Sequence, residues 1–144
     1  MKILVDADAC PVKQIITRVA REHLIPVVMF IDTSHQLSDA YATVVTVDKQ
    51  RDSVDIALIN RARAEDIVVT QDYGLAAMVL GRGARALNQN GLVYTAQNID
   101  KLLLERHLSQ KVRRSGGRTA GPPKRTRADD EHFEAAIRQL IVEQ

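Results

Sequence analysis

Short apolar runs and helical stripes alternate along this chain from its first residues. Ile3-Leu4-Val5 is an uninterrupted apolar run, the mark of a strand buried on both faces. Val12, Ile15, Ile16, Val19 and Ala20 recur at helical spacing, which predicts a helix to about His23, with Pro11 suited to its first turn. Pro26 closes that region, and Val27-Val28-Met29-Phe30-Ile31 predicts a second strand. A polar loop, Thr33-Ser34-His35-Gln36, leads to a β-rich stretch over Tyr41 to Val47. Asp52 stands where an N-cap belongs, before a helix carrying Val54, Leu58, Ile59 and Ala62. Ile67 to Thr70 predicts a fourth strand, and Leu75 to Leu80 a short helix halted by Gly81-Arg82-Gly83. Ala84 to Leu87 reads as a short strand, followed by a turn at Gln89-Asn90-Gly91 and an apolar segment, Leu92-Val93-Tyr94. Asn98 then stands as a cap before a helix bearing Ile99, Leu102, Leu103 and Leu108.

Strands alternating with helices define βαβ units. The predicted fold is therefore α/β: three layers, α/β/α, around a mostly parallel sheet over residues 1–110. At Lys111 the composition changes. Residues 111–128 read as a basic linker broken by Gly116-Gly117 and Gly121-Pro122-Pro123. Residues 129–144 read as a C-terminal helix. Its stripe of Phe133, Ala136, Ile137, Leu140 and Ile141 must pack on the domain or on a partner.

A chain of 144 residues suits a single core, so the helix and linker are additions to one domain. Aromatics make up 3% with no Trp, which argues against base-stacking platforms of Phe or Tyr of the kind single-strand binders use. The single Cys10 excludes an internal disulfide and any multi-cysteine zinc site. Asp6 interrupts the first apolar run before it reaches signal-peptide length, and no apolar stretch approaches the ~20 residues of a membrane span. A cytoplasmic protein with no membrane partner is expected. The net charge is +2, yet residues 1–110 carry 12 Lys and Arg against 13 Asp and Glu, whereas residues 111–127 carry 7 Lys and Arg and no acid. The basic character is local, which is more informative about partners than the total.

The acids carry the chemistry. Asp6 and Asp8 follow the first strand and Asp72 follows the fourth. Open α/β sheets bind ligands in the crevice beyond the carboxyl ends of their strands. Carboxylates gathered there repel one another and call for a cation or a shared proton. With only oxygen donors, that cation is Mg²⁺ or Mn²⁺ rather than zinc. A continuing strand would put Asp6 and Asp8 on one face. Helix capping is the plainer account of Asp8 and of Asp72 taken singly, but it does not explain Asp6, which still lies on the strand. Asp52 and Asp55 form a second pair on one helical face. Asp55 shares the stripe of Ile59 and Ala62, where an unpaired carboxylate is costly, so it joins Asp6, Asp8 and Asp72 as a metal-site candidate.

Asp52, Ser53, Thr70 and His35 are candidates for orienting ligands or water around those four, although hydroxyls and loop histidines are common in such places. Cys10 sits at a helix start, but neighbouring carboxylates oppose a thiolate, and it reads as a small packing residue. Lys111, Arg113, Arg114, Arg118, Lys124, Arg125 and Arg127 are candidates for neutralising nucleic-acid phosphates, with a solvated linker as the plainer account.

Three stretches, Asp6-Ala-Asp8-Ala-Cys10-Pro11-Val12, Asp32-Thr-Ser-His35 and Thr70-Gln71-Asp72-Tyr73-Gly74-Leu75-Ala76, together resemble the YaiI/YqxD family of bacterial proteins. The resemblance runs over nearly the whole chain, including Gly121-Pro122 and the terminal helix. It implies a relation to PIN-like nucleases, which use acids at the ends of parallel strands to bind Mg²⁺ or Mn²⁺ and cut RNA. By that resemblance Asp6 matches the first-strand acid, Asp72 the acid after the Thr-containing strand, and Asp55 the mid-domain helix acid. Asp8 and Cys10 are additional to the pattern. A metal-dependent nuclease hydrolysing RNA phosphodiesters is the leading expectation. One alternative is a phosphatase of the haloacid-dehalogenase type, with Asp6 attacking phosphorus and Asp8 handling protons. Against it, Cys10 stands where Thr or Val is usual and no clear downstream Lys motif follows. The other alternative is a non-catalytic nucleic-acid-binding module.

Overall fold

Ile3, Leu4 and Val5 are all fully buried, as a strand at the centre of a parallel sheet requires. In the computed structural model, which describes residues 1–33, 36–49, 53–118 and 123–143, they form β1 (Ile3–Asp6). Four more strands follow: β2 (Val27–Asp32), β3 (Thr43–Val47), β4 (Ile67–Val69) and β5 (Arg85–Leu87). All pair in parallel, in the order β3-β2-β1-β4-β5. The chain thus starts mid-sheet, winds outward to β3, then crosses back to lay β4 along the other side of β1.

Five helices cover the sheet: α1 (Lys13–Glu22), α2 (Val54–Arg61), α3 (Tyr73–Gly81), α4 (Ala96–Arg114) and α5 (Arg127–Val142). Strand side chains alternate between faces, and the two cores divide accordingly. Ile3, Val5, Val27, Met29, Ile67 and Val69 pack in one core with residues of α1 and α5. Leu4, Val28, Phe30, Val68 and Ala86 pack in the other with residues of α2, α3 and α4. The fold is the expected three-layer α/β/α arrangement around a parallel sheet.

Several boundaries differ from the sequence reading, each for a local reason. Ser53 caps α2, its hydroxyl accepting from the Ile56 N–H at 3.1 Å. Asp52, read as that cap, lies outside the described residues, as does His35. Thr95, rather than Asn98, caps α4. Its hydroxyl accepts from the Asn98 N–H at 3.1 Å while the Asn98 side chain accepts from the Thr95 N–H at 2.8 Å, a reciprocal capping box. α4 also runs on through Arg114, so Lys111, Arg113 and Arg114 belong to a helix and not to a linker.

The late helix docks on the domain. Phe133 and Ile137 are fully buried against the α1 side of the sheet. Ion pairs flank that stripe: Arg18 to Glu134 at 2.6 Å and Arg138 to Glu22 at 2.9 Å join α5 to α1. The turn after β5 meets α5 so closely that a Cβ on Gly91, at φ +87°, would stand 2.6 Å from the His132 carbonyl oxygen. No helix among the described residues is long and apolar enough to cross a membrane.

Candidate functional site

The winding order makes one place special. β1 leads to β2 on one side and β4 lies on the other, so the sheet's topological switch point falls between β1 and β4, where a crevice opens beyond the strand ends. Asp6 is the last residue of β1, and Thr70 and Asp72 follow β4 directly. The β1–β4 register pairs Val5 with Val69, which brings Asp6 beside Thr70. Asp6 shares the parity of Leu4, so it points to the face covered by α2 and α3. Those helices supply the other acids: Asp55 from the first turn of α2 and Asp72 from the N-cap of α3.

One hydroxyl ties the two strand ends together. Thr70 Oγ1 donates to Asp6 Oδ2 at 2.9 Å and accepts from the Asp72 N–H at 3.0 Å. The Thr70 backbone is held as well, its N–H on Leu87 and its carbonyl oxygen accepting from the Tyr94 hydroxyl at 3.0 Å. Thr70 is 2% exposed, so this bridge is shielded from water. Asp72 caps α3 by accepting from the Leu75 N–H at 3.1 Å, as the capping account expected. Its Oδ1 also lies 4.0 Å from the Arg106 guanidinium.

The electrostatics single out Asp6. Burial pushes its carboxyl up to about 6, the Thr70 hydrogen bond pulls it down, and Asp55, Asp72 and Asp8, in that order, push it up again. Asp55 is raised too, by partial burial and then by Asp72. Four acids therefore share one field. Their geometry is looser than their electrostatics: among the described residues, no group of three or more His, Cys, Asp or Glu side chains is arranged to hold a metal ion. The donor set itself is all carboxylate and hydroxyl oxygen, which suits a hard cation and no soft one.

Asp8 does not share a strand face with Asp6, because β1 ends at Asp6 and residues 8 and 9 turn. Ala9 takes φ 58°, a left-handed conformation unusual outside glycine. Nor does Asp8 cap α1, whose N-cap is Val12 with no side-chain hydrogen bond. Cys10 is buried and its thiol is pushed up by that burial, so it is a packing residue as expected. Ser53 serves α2 as its cap. Arg125 is committed to structure: it bonds Asp130 at 2.8 Å, Asn90 at 2.7 Å and the Gln89 carbonyl oxygen at 2.8 Å, fastening the basic segment to the turn after β5. Lys111, Arg113, Arg114, Arg118, Lys124 and Arg127 are exposed.

Two residues beside the acids escaped the sequence reading. Tyr73 opens α3, and Arg106 projects from α4 toward Asp72. Arg106 stands seven residues before Arg113, on the same helical face, and that spacing was the available signal.

A parallel five-stranded sheet with acids from two strand ends and one helix at its switch point defines an α/β protein built around an acidic crevice. Residues 4–143 match the family described as uncharacterised BCR, YaiI/YqxD, and the chain belongs to that family. Among its relatives, the UPF0178 protein of Ruminiclostridium cellulolyticum is 66% identical over 141 residues, covering 98% of this chain and 92% of the relative. That of Clostridium kluyveri is 54% identical over 142 residues, covering 99% and 93%. That of Exiguobacterium sibiricum is 50% identical over 143 residues, covering 99% and 98%. No solved structure is a significant match to the chain.

Proposed function

We propose that this protein is a metal-dependent nuclease that hydrolyses RNA phosphodiesters at the crevice between the ends of β1 and β4. The observation that carries the reading is the convergence of Asp55, Asp72 and Asp8 on the field of Asp6, whose carboxyl rises to about 6. Structural acids are placed beside donors, whereas acids placed beside acids suit a cation. Asp6 and Asp72 would hold Mg²⁺ or Mn²⁺, with Asp55 and Asp8 completing the negative field. Mg²⁺ is usually bound by one or two carboxylates plus water and substrate phosphate, so a crevice without a three-acid cage fits that habit. Such an ion supplies activation of water and stabilisation of the attacking and leaving oxygens in phosphoryl transfer. Thr70 fixes the Asp6 carboxylate by its hydrogen bond, and the exposed cations of residues 111–127 counter the repulsion between an acidic crevice and a polyanion.

Incubating the purified protein with labelled RNA and Mn²⁺ tests the reading, with calorimetry for the ion. Cleavage is expected, and Asp6→Asn or Asp72→Asn should lower it by about 100-fold or more while weakening Mn²⁺ binding. Absence of both cleavage and metal binding in the unaltered protein removes the reading. A fluoroberyllate adduct on Asp6 replaces it with the phosphatase alternative.

A further inference from the structure

Along α4, where it passes Tyr73 at the start of α3, lies a groove of about 520 Å³. Its walls are Tyr73 at the start of α3 and, from α4, Leu102, Glu105, Arg106, Ser109, Gln110 and Arg113, so one acid stands among the cations. Four of these belong to one stripe of α4: Arg106, Ser109, Gln110 and Arg113 recur at i, i+3, i+4 and i+7, so a single helical face presents two guanidiniums, a hydroxyl and an amide together. A stripe of that kind does not build a core. The neighbouring stripe of α2, α3 and α4 residues already fills the apolar layer, leaving this one half exposed, with the Arg106 side chain at 50%.

Arg106 and Arg113 stand two turns apart, about 10 Å along the helix axis. Guanidiniums are the side chains best matched to phosphate oxygens. Tyr73 is the aromatic residue of the lining. Tyr73 meets the Tyr94 ring edge-on, with centroids 6.2 Å apart, and Tyr94 is itself anchored through its hydroxyl to the Thr70 carbonyl. The ring that borders the groove is thus positioned by the same residue that bridges Asp6 and Asp72. Arg106 closes the connection, with its guanidinium 4.0 Å from Asp72.

We propose that this groove seats single-stranded RNA to one side of the phosphodiester at the crevice, with Arg106 and Arg113 on its phosphates and Tyr73 against a base. The proposal rests on the nuclease reading for its substrate class, but binding can be measured without turnover. Anisotropy of a short fluorescein-labelled single-stranded RNA, in EDTA, reports binding without turnover. The Arg106→Gln/Arg113→Gln variant should weaken binding about tenfold or more and reduce the slope of log K against log salt by about 1.4, the value for two lost phosphate contacts. Tyr73→Leu should weaken it about tenfold, the scale of one base–aromatic stack. Arg63→Gln/Arg82→Gln, exposed cations near the entry end of β4 and β5, should bind nearly as the unaltered protein does. Asp6→Asn should bind at least as tightly. No binding by the unaltered protein, an unchanged affinity or slope in the Arg106/Arg113 variant, or an equal loss in the Arg63/Arg82 variant overturns the proposal. Binding through the groove without cleavage in Mn²⁺ removes the nuclease reading and leaves the groove standing. Cleavage at full rate in the Arg106/Arg113 variant does the reverse.

Discussion

Asp66 and Asp6 sit at opposite ends of the same pair of strands and are treated in opposite ways. Asp66, just before β4, is fully buried and fully served. Its carboxylate accepts from the Lys2 N–H at 2.9 Å, the Lys2 ammonium at 3.1 Å and the Arg63 N–H at 2.9 Å. It pins the start of β1 to the turn that enters β4. Asp6, at the exit of β1, receives a hydroxyl from Thr70 and stands in the field of three other acids. An acid surrounded by donors is finished structurally. An acid surrounded by acids has a charge left over for something else.

The largest expected effect divides the two ends. Asp66→Ala strands the Lys2 ammonium and two N–H groups, and should cost about 3 kcal/mol or more in urea unfolding. Asp6→Asn keeps a partner for Thr70 and removes repulsion, so it should leave the metal-free protein at least as stable. Equal losses at the two positions would erase the contrast.

A smaller effect follows from protonation. The folded Asp6 carboxyl titrates near 6, above the ordinary aspartate value of 3.8, so the folded state holds its proton more tightly than the unfolded chain does. Stability from this group is therefore fully present below about pH 4 and is lost as pH rises through about 6, on the order of 1–2 kcal/mol after allowance for partial exposure. Urea melts of metal-free protein across that window check it, and Asp6→Asn should flatten the curve. Thr70→Val removes the one interaction holding the Asp6 carboxyl down, so the midpoint should move upward.

The smallest effect compares backbone strain. Ala9 and Leu24 both hold positive φ, 58° and 56°, the first at the acidic end of the sheet and the second at the end occupied by Asp66. Glycine at either should raise stability by about 1 kcal/mol. Only Ala9→Gly should also change cleavage, because it loosens the turn carrying Asp8 and bonded to Gln71.

The strands were readable because each is short, apolar and bounded, and the α/β class followed from their alternation with helical stripes. The strand order was not: nothing local in Ile67-Val68-Val69 says that it lies against Ile3-Leu4-Val5, and that pairing is what brings Asp72 to Asp6. Asp55 stood out because it interrupts an apolar stripe, and the structure places it in the field of Asp6. Asp8 was misplaced because strand parity was carried past the end of β1. Asp66 was overlooked because its partners, Lys2 and Arg63, meet it only after the sheet forms. Arg125 read as a free cation for the same reason, since Asn90 and Gln89 reach it across the fold.

The docking of α5 has a temporal consequence. Synthesis is vectorial, so β1 and α1 leave the ribosome long before Phe133 and Ile137 exist to cover them. Until α5 arrives the nascent domain has α1 alone on that sheet face, while the turn at Gly91 waits for the backbone it will touch. A late-arriving helix of this kind acts as a seal. The strand that aims Asp6 is made early, but the α1 face of its sheet is fully covered only when α5 docks.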